Sequence, residues 1–282
     1  MPFHLNYFMG GMGNQIFQIS TLISLADKYD TTFSFPNSIS YINGFVGSIP
    51  VYNEKIFDEF KNHNRYKDYD TTLININIEV IQFNDINLDG VNDKKNNQII
   101  LSGLPMWLPL IDIPIVRNIL LNNKNKFNYS LSSTNKTKLC IAFRTFDEEG
   151  LQRYMLPIEY YKKALEYIFQ ILNSDTELYI FTDRENIKDT IIKPILNELN
   201  IGISDIFEYK GNRDGISDIE HFYKMMDCDH YILCNSTYHY WPALIKDDCK
   251  SIIIYPNKTE NNNDNWFKDI SPSNWTRIDY FR

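Results

Sequence analysis

The apolar positions change period along the chain, and that change predicts its elements. Phe3, Leu5, Tyr7 and Met9 recur at the two-residue period of a short half-buried strand. Gly10, Gly11 and Gly13 then break the alternation. From Asn14 onward Ile16, Ile19, Leu22, Ile23 and Ala26 recur at helical spacing. The first thirty residues therefore read as strand, glycine turn, helix. Between about 30 and 130 the pattern is weaker, with short apolar runs such as Leu73-Ile74 and Ile99-Ile100-Leu101 in an Asn-, Asp- and Tyr-rich background. The run Asn123–Asn128, followed by SLSSTNKTK, reads as a polar linker.

Beyond the linker the pattern sharpens. Leu139–Phe143, Leu178–Phe181, Tyr231–Cys234 and Ile252–Tyr255 are uninterrupted apolar runs of strand length. A helix starts near Pro157, a residue suited to a first turn, and carries Tyr161, Ala164, Leu165, Ile168 and Leu172 on one face. Further helical stretches cover about 187–199 and 215–227. Strands alternating with helices predict βαβ units and a parallel sheet. The fold class is α/β, with an N-terminal domain over 1–130 and a Rossmann-like C-terminal domain over 131–282. Parallel sheets bind ligands where strands end and helices begin, so the strand ends are the places to look for chemistry.

Composition narrows the function. The 282 residues carry 28 Lys+Arg against 36 Asp+Glu, a net charge of -8. That balance argues against nucleic-acid binding, which needs clustered cations, but leaves room for a small phosphate-bearing ligand. Apolar residues make up 43%, enough for a core. There is no transmembrane run, and the N-terminus has no basic segment followed by an apolar one, so the expectation is a soluble, cytoplasmic protein. The sequons at Asn128, Asn135, Asn235, Asn257 and Asn274 then read as products of Asn richness. Cys140, Cys228, Cys234 and Cys249 form no C-x-x-C pair and read as buried free thiols in a reducing compartment.

Four strand ends carry polar groups. Gly10 to Gln15 follows the first: glycines that let backbone N–H groups approach an anion, or a glycine turn closing a strand–helix unit. It is neither a phosphate-binding lysine loop nor a dinucleotide fingerprint. Arg144 emerges from the buried run 139–143, either to grip phosphate oxygens in a bidentate fork or to pair with Asp147 or Glu148. Asp183 follows 178–181, either as a ribose or base contact or as the cap of the next helix. Asn235, Ser236 and Thr237 follow 231–234 at a helix start, as anion ligands or as caps. His239 is the residue there able to titrate near neutrality, although a lone histidine is more often structural.

In this order the strand ends resemble glycosyltransferase family 11, the α-1,2-fucosyltransferases, within the wider α-1,2, α-1,6 and protein O-fucosyltransferase group. GGMGNQIFQISTLISLA resembles that family's opening G-G-L-G-N-Q-M-F-Q-Y-A. IAFRTFD resembles H-x-R-R-x-D, FTDRE resembles F-S-D-D, and MMDCDHYILCNSTYHYWPAL resembles M-S-x-C-K-H-x-I-I-A-N-S-S-F-S-W-W-G-A. Leu101-Ser102-Gly103 matches a mid-chain glycine, and NWFKDISPSNW, with Trp266 and Trp275, resembles a C-terminal W-F…P-x-x-W. The departures are Ala142 for His, Thr145 for the second Arg, Phe146 for Gly, His239 for Ser, Tyr240 for Trp and Pro242 for Gly.

The resemblance implies a GT-B-like fold of two Rossmann-like domains with a donor cleft between them. It implies inverting transfer of fucose from GDP-β-L-fucose to a galactose hydroxyl of a glycan, with no cofactor and no metal. By position Arg144 would stabilise the leaving GDP. Gly11, Gly13, Asn14, Ser236 and Thr237 would complete the diphosphate cradle, Asn235 would bind the donor, and Asp183 would contact the nucleoside. Asp147 would orient or deprotonate the acceptor, or hold Arg144, with Glu148 and His239 in reserve. The alternatives are another GDP-deoxyhexose as donor, or a non-catalytic GDP-sugar or glycan-binding protein. Acceptor, linkage and oligomeric state are not encoded in any motif.

Overall fold

The structure is a computed structural model that describes residues 2–5, 8, 10–36, 52–68, 78–82, 98–102, 111–127, 129–145, 155–212, 214–248, 250–257 and 270–280. The chain forms two compact units, Met1–Phe127 and Asn128–Arg282. Both are α/β with parallel sheets, the class read from the sequence.

The first unit holds β1 (Phe3–Leu5), α1 (Met12–Lys28), β2 (Phe33–Ser34), a π-helical turn (Asn53–Phe57) leading into α2 (Asp58–Lys61), β3 (Ile78–Gln82), β4 (Gln98–Ser102) and α3 (Ile113–Lys126). The strands pair in parallel in the order β2-β1-β4-β3, with Phe3 opposite Phe33 and Ile99. Phe3 and Leu5 are buried, as are the predicted helix positions Ile16, Ile19, Leu22, Ile23 and Ala26. Gln15, Gln18, Ser20 and Thr21 are buried too. The Thr21 hydroxyl donates back to the Phe17 carbonyl at 2.9 Å, which lets a polar helix face enter a core. The expected polar linker is instead partly helix, since α3 runs to Lys126. Asp112 caps it, accepting from the Ile115 N–H at 3.2 Å, and the buried Asn123 donates to the Lys55 carbonyl at 2.6 Å. Tyr7, Met9, Leu73 and Ile74 lie outside the described residues.

The second unit holds β5 (Thr137–Phe143), α4 (Ile158–Phe169), β6 (Thr176–Thr182), a π-helical turn (Lys188–Ile192) running into α5 (Lys193–Glu198), β7 (Ile206–Lys210), α6 (Ile216–Met225), β8 (His230–Ile232), α7 (Thr237–Lys246), β9 (Ile253–Pro256) and β10 (Thr276–Ile278). Its strands run parallel in the order β10-β9-β8-β5-β6-β7. From β5 the chain builds outward through β6 to β7, then returns to the other side of β5 and builds outward again from β8. This is the doubly wound order, with its reversal between β5 and β8. Every residue of β6 is buried, as expected of a strand covered on both faces. One core cluster joins Leu139, Ile141 and Phe143 to Tyr161, Ala164, Leu165 and Ile168 of α4. Ala142 is fully buried in this cluster, and its carbonyl accepts from the Tyr161 hydroxyl at 3.2 Å. The position where the family motif carries His is therefore a core position here.

The C-terminal segment is tied down by aromatic packing. The Trp275 indole N–H donates to Asp247 Oδ2 at 3.0 Å, at the end of α7, and the ring stacks obliquely on Tyr240, 5.1 Å between centroids. Among the described residues no helix is long and apolar enough to cross a membrane.

Candidate functional site

The reversal of strand order places the ends of β5 and β8 side by side, the position at which a doubly wound sheet opens a crevice. Arg144 follows the last residue of β5. Its side chain is 30% exposed, and its Nε lies 3.8 Å from Asp183 Oδ2, just past the end of the neighbouring β6. Asp183 is only 13% exposed. Its Oδ1 accepts from the Thr145 backbone N–H at 2.8 Å and from the Thr145 hydroxyl at 3.1 Å. Thr145 is buried. One carboxylate thus ties down the residue after Arg144 with one oxygen and faces the guanidinium with the other.

This arrangement answers one alternative left by the sequence. Asp183 does not cap the following helix. That cap comes from Glu208 on β7, whose carboxylate accepts from the Asn186 N–H at 2.8 Å and the Lys188 N–H at 2.5 Å. Asp183 turns the other way and braces the end of β5. Thr145, where the motif has a second Arg, adds no charge and serves that brace.

On the other side of β5, the chain leaves β8 through Cys234 and Asn235 into α7. Ser236 stands at the N-cap with extended backbone, but its side chain makes no capping bond. The first turn carries no acidic residue. Asn235 and Ser236 are both buried, and Asn235 Oδ1 meets no hydrogen-bond partner among the described residues. A positive helix end without a carboxylate or a side-chain cap is receptive to an anion. An unpaired buried carbonyl oxygen beside it is costly unless a donor arrives.

His239, in the first turn of α7, is buried, with Nδ1 3.2 Å from Cys234 Sγ and its ring edge-on to Tyr238. Burial, reinforced by the positive charge of Arg144, lowers its pKa to about 3. The ring is neutral at physiological pH, which removes it as a proton donor and leaves it a poor base. Burial pushes the Cys234 thiol up, with Arg144 partly offsetting the effect.

The glycine motif lies in the first unit. Gly10 has φ 71°, in the left-handed region, and a Cβ there would sit 2.2 Å from Asn14 Nδ2. Its carbonyl accepts from Gln15 Nε2 at 2.7 Å. Gly11 is the N-cap of α1, in extended conformation with open space where a Cβ would point. Gly13 is buried in the first turn and Asn14 half-buried. As in α7, no side chain caps α1 and its first turn has no acidic residue. The positive φ at Gly10 favours glycine there, a residue that was not among the expected ligand contacts.

Of the expected site residues, Arg144, Asp183, Asn235, Ser236, Thr237 and His239 lie at the strand ends of the second unit. Gly11, Gly13 and Asn14 stand at the start of α1 in the first, and Asp147 and Glu148 lie outside the described residues. The sequence reading missed the structural parts of Thr145, Cys234 and Glu208. Among the described residues no group of three His, Cys, Asp or Glu side chains is placed to hold a metal ion.

The family model of glycosyl transferase family 11 matches residues 158–279. Among solved structures, the chain is similar to the α-1,6-fucosyltransferase NodZ soaked with GDP-fucose, at 12% identity and TM-score 0.45, over 86% of this chain and 92% of that one. NodZ is described from Bradyrhizobium. It is similar to a mutant of Arabidopsis thaliana FUT1 in complex with GDP, at 12% identity and TM-score 0.49, over 90% and 70%. It is also similar to Escherichia coli ADP-heptose LPS heptosyltransferase II, at 7% identity and TM-score 0.48, over 98% and 89%. No curated protein matches the chain in sequence.

Proposed function

We propose, from the match of residues 158–279 to the family model of glycosyl transferase family 11, that the chain transfers L-fucose from GDP-β-L-fucose, with inversion, to a galactose hydroxyl of a glycan, forming an α-1,2 linkage. The observation that carries the reading is Arg144, held by Asp183 at the strand reversal beside the uncapped end of α7. The donor's C1–O bond breaks and GDP departs with the bonding electrons. Negative charge grows on the β-phosphate as this happens. A fixed guanidinium and the N-terminal N–H groups of α7 therefore bind the transition state more tightly than the ground state. The acceptor oxygen attacks C1 from the opposite face and gives up its proton.

Asp147 is the proposed base, or the group that orients the acceptor hydroxyl. His239 is not, because it is neutral and buried. Ser236 and Thr237 complete the anion end of α7. Asn235 Oδ1, an acceptor, suits a hydroxyl or N–H of the donor rather than a phosphate oxygen. Asp183 acts through Arg144. No metal takes part in the scheme; the diphosphate is steadied by Arg144 and the helix end.

Incubation with GDP-fucose and a panel of β-galactosides, with the linkage located by NMR, tests the reading. A fucosyl-α-1,2-galactose product supports it. No product, or full turnover by Arg144→Ala, sinks it. Ala142 and Thr145 both replace groups of the family motif and both are buried, which favours one second reading, another GDP-linked deoxyhexose as donor. Competition between GDP-fucose and other GDP-sugars separates the two.

A further inference from the structure

The Cys234–His239 pair has no part in the scheme above, yet both residues are buried and both feel the charge of Arg144. Cys234 lies just past β8, and His239 is the third residue of α7. Side chains on a helix lean toward its N-terminus, so a residue in that turn overhangs the helix end. The two meet at 3.2 Å, Sγ to Nδ1, within hydrogen-bond reach for sulfur. An imidazole nitrogen is a strong acceptor, whereas a thiol sulfur is a weak one. The thiol therefore gives its hydrogen to Nδ1, and a neutral ring that accepts at Nδ1 carries its own proton on Nε2.

We propose that Cys234 is a positioning residue that holds His239 as the Nε2–H tautomer, and that this N–H is an uncharged hydrogen-bond donor for a nucleoside diphosphate bound beside Arg144. The second half rests on the donor reading given above; the first does not. The groups that act on the ring are the Cys234 thiol, the edge-on Tyr238 ring, Arg144 and His221. Burial and the two basic neighbours all oppose a second proton, and no carboxylate among the described residues favours one. A diphosphate adjoining Arg144 thus gains a donor without a second cation, in a chain where Thr145 stands in place of the motif's second Arg.

The tautomer is read from long-range ¹H–¹⁵N correlation spectra of the full chain labelled with ¹⁵N-histidine. Between pH 5.5 and 8.5 the His239 signals are expected to show protonated Nε2 and bare Nδ1. Cys234→Ala should give a mixture of tautomers, and Cys234→Ser should restore the single form. Protonated Nδ1, or an imidazolium at pH 6, overturns the assignment.

GDP affinity by calorimetry reads the donor role. His239→Gln places an amide NH₂ near the Nε2 position and should bind within about threefold of the unmodified chain. His239→Leu should bind about ten- to a hundredfold more weakly, the worth of one hydrogen bond to a charged group. A Leu variant that binds GDP like the unmodified chain overturns the donor role. If the unmodified chain binds no GDP, the nucleotide reading itself falls and the donor role with it. The spectrum still decides the tautomer.

Discussion

Removing the Asp183 carboxylate is the perturbation whose effects the geometry separates best. Asp183→Ala strips the acceptor from two Thr145 donors, the N–H at 2.8 Å and the hydroxyl at 3.1 Å. Thr145 is buried, so water cannot easily replace the lost partner, and an unpaired buried donor costs about 1–3 kcal/mol. The charge pair adds a second effect. At 3.8 Å and an effective dielectric of about 20, two unit charges attract by roughly 4 kcal/mol before desolvation is counted. Most of that gross figure is offset by the cost of partly burying both groups. The net expectation for Asp183→Ala is a loss of about 2–4 kcal/mol in stability.

Asp183→Asn keeps an amide oxygen for Thr145 but turns an uncharged, donor-bearing group toward Arg144. It should cost about 1 kcal/mol in stability. Transfer should fall much further, about tenfold or more in kcat, because the guanidinium loses its brace while the fold persists. Urea unfolding at pH 7 gives the stability, and single-turnover fucosyl transfer gives the chemistry. Asp183→Ala and Asp183→Asn that unfold alike, or an Asn variant with native kcat, would refute the assignment of Asp183 to bracing Arg144.

Three further outcomes follow from other parts of the fold. Gly10→Ala should destabilise by at least about 1–2 kcal/mol, because a side chain at φ 71° is strained and its Cβ collides with Asn14, whereas Gly11→Ala meets open space and should change the urea midpoint little. Glu208→Ala should cost about 2 kcal/mol by leaving the Asn186 and Lys188 N–H groups uncapped, and hydrogen exchange should rise first in 186–192. Acid should weaken the fold early. The folded pKa of His239 is about 3, below its ordinary 6.5, so the unfolded state binds more protons between those values and stability is lost as pH falls through that window. At pH 5 this one residue costs about 2 kcal/mol relative to pH 7, and His239→Leu should flatten the pH 5–7 slope of the urea midpoint.

What the sequence could show depended on whether an interaction was local. β5 and β6 announce themselves because a strand buried on both faces must be apolar at every position, and Leu139–Phe143 and Leu178–Phe181 are. β7 is the edge of its sheet, exposes Phe207, Glu208 and Lys210 to differing degrees, and has no such run to reveal it. The same distinction governs the site. Arg144 was legible because a cation directly after a buried strand has few places to go. The role of Asp183 was not, since an acid before a helix looks like a cap until the rival cap, Glu208, arrives from a strand more than twenty residues further on. Cys234 read as one buried thiol among several, because nothing in the spacing Cys234…His239 says that a strand end and a helix turn will bring sulfur to nitrogen. The four polar strand ends could be placed from sequence since topology alone puts them at one edge of each sheet. Which neighbour each of them meets depends on side-chain direction, and here Asp183 turns back to Thr145 and Arg144 while His239 turns to Cys234.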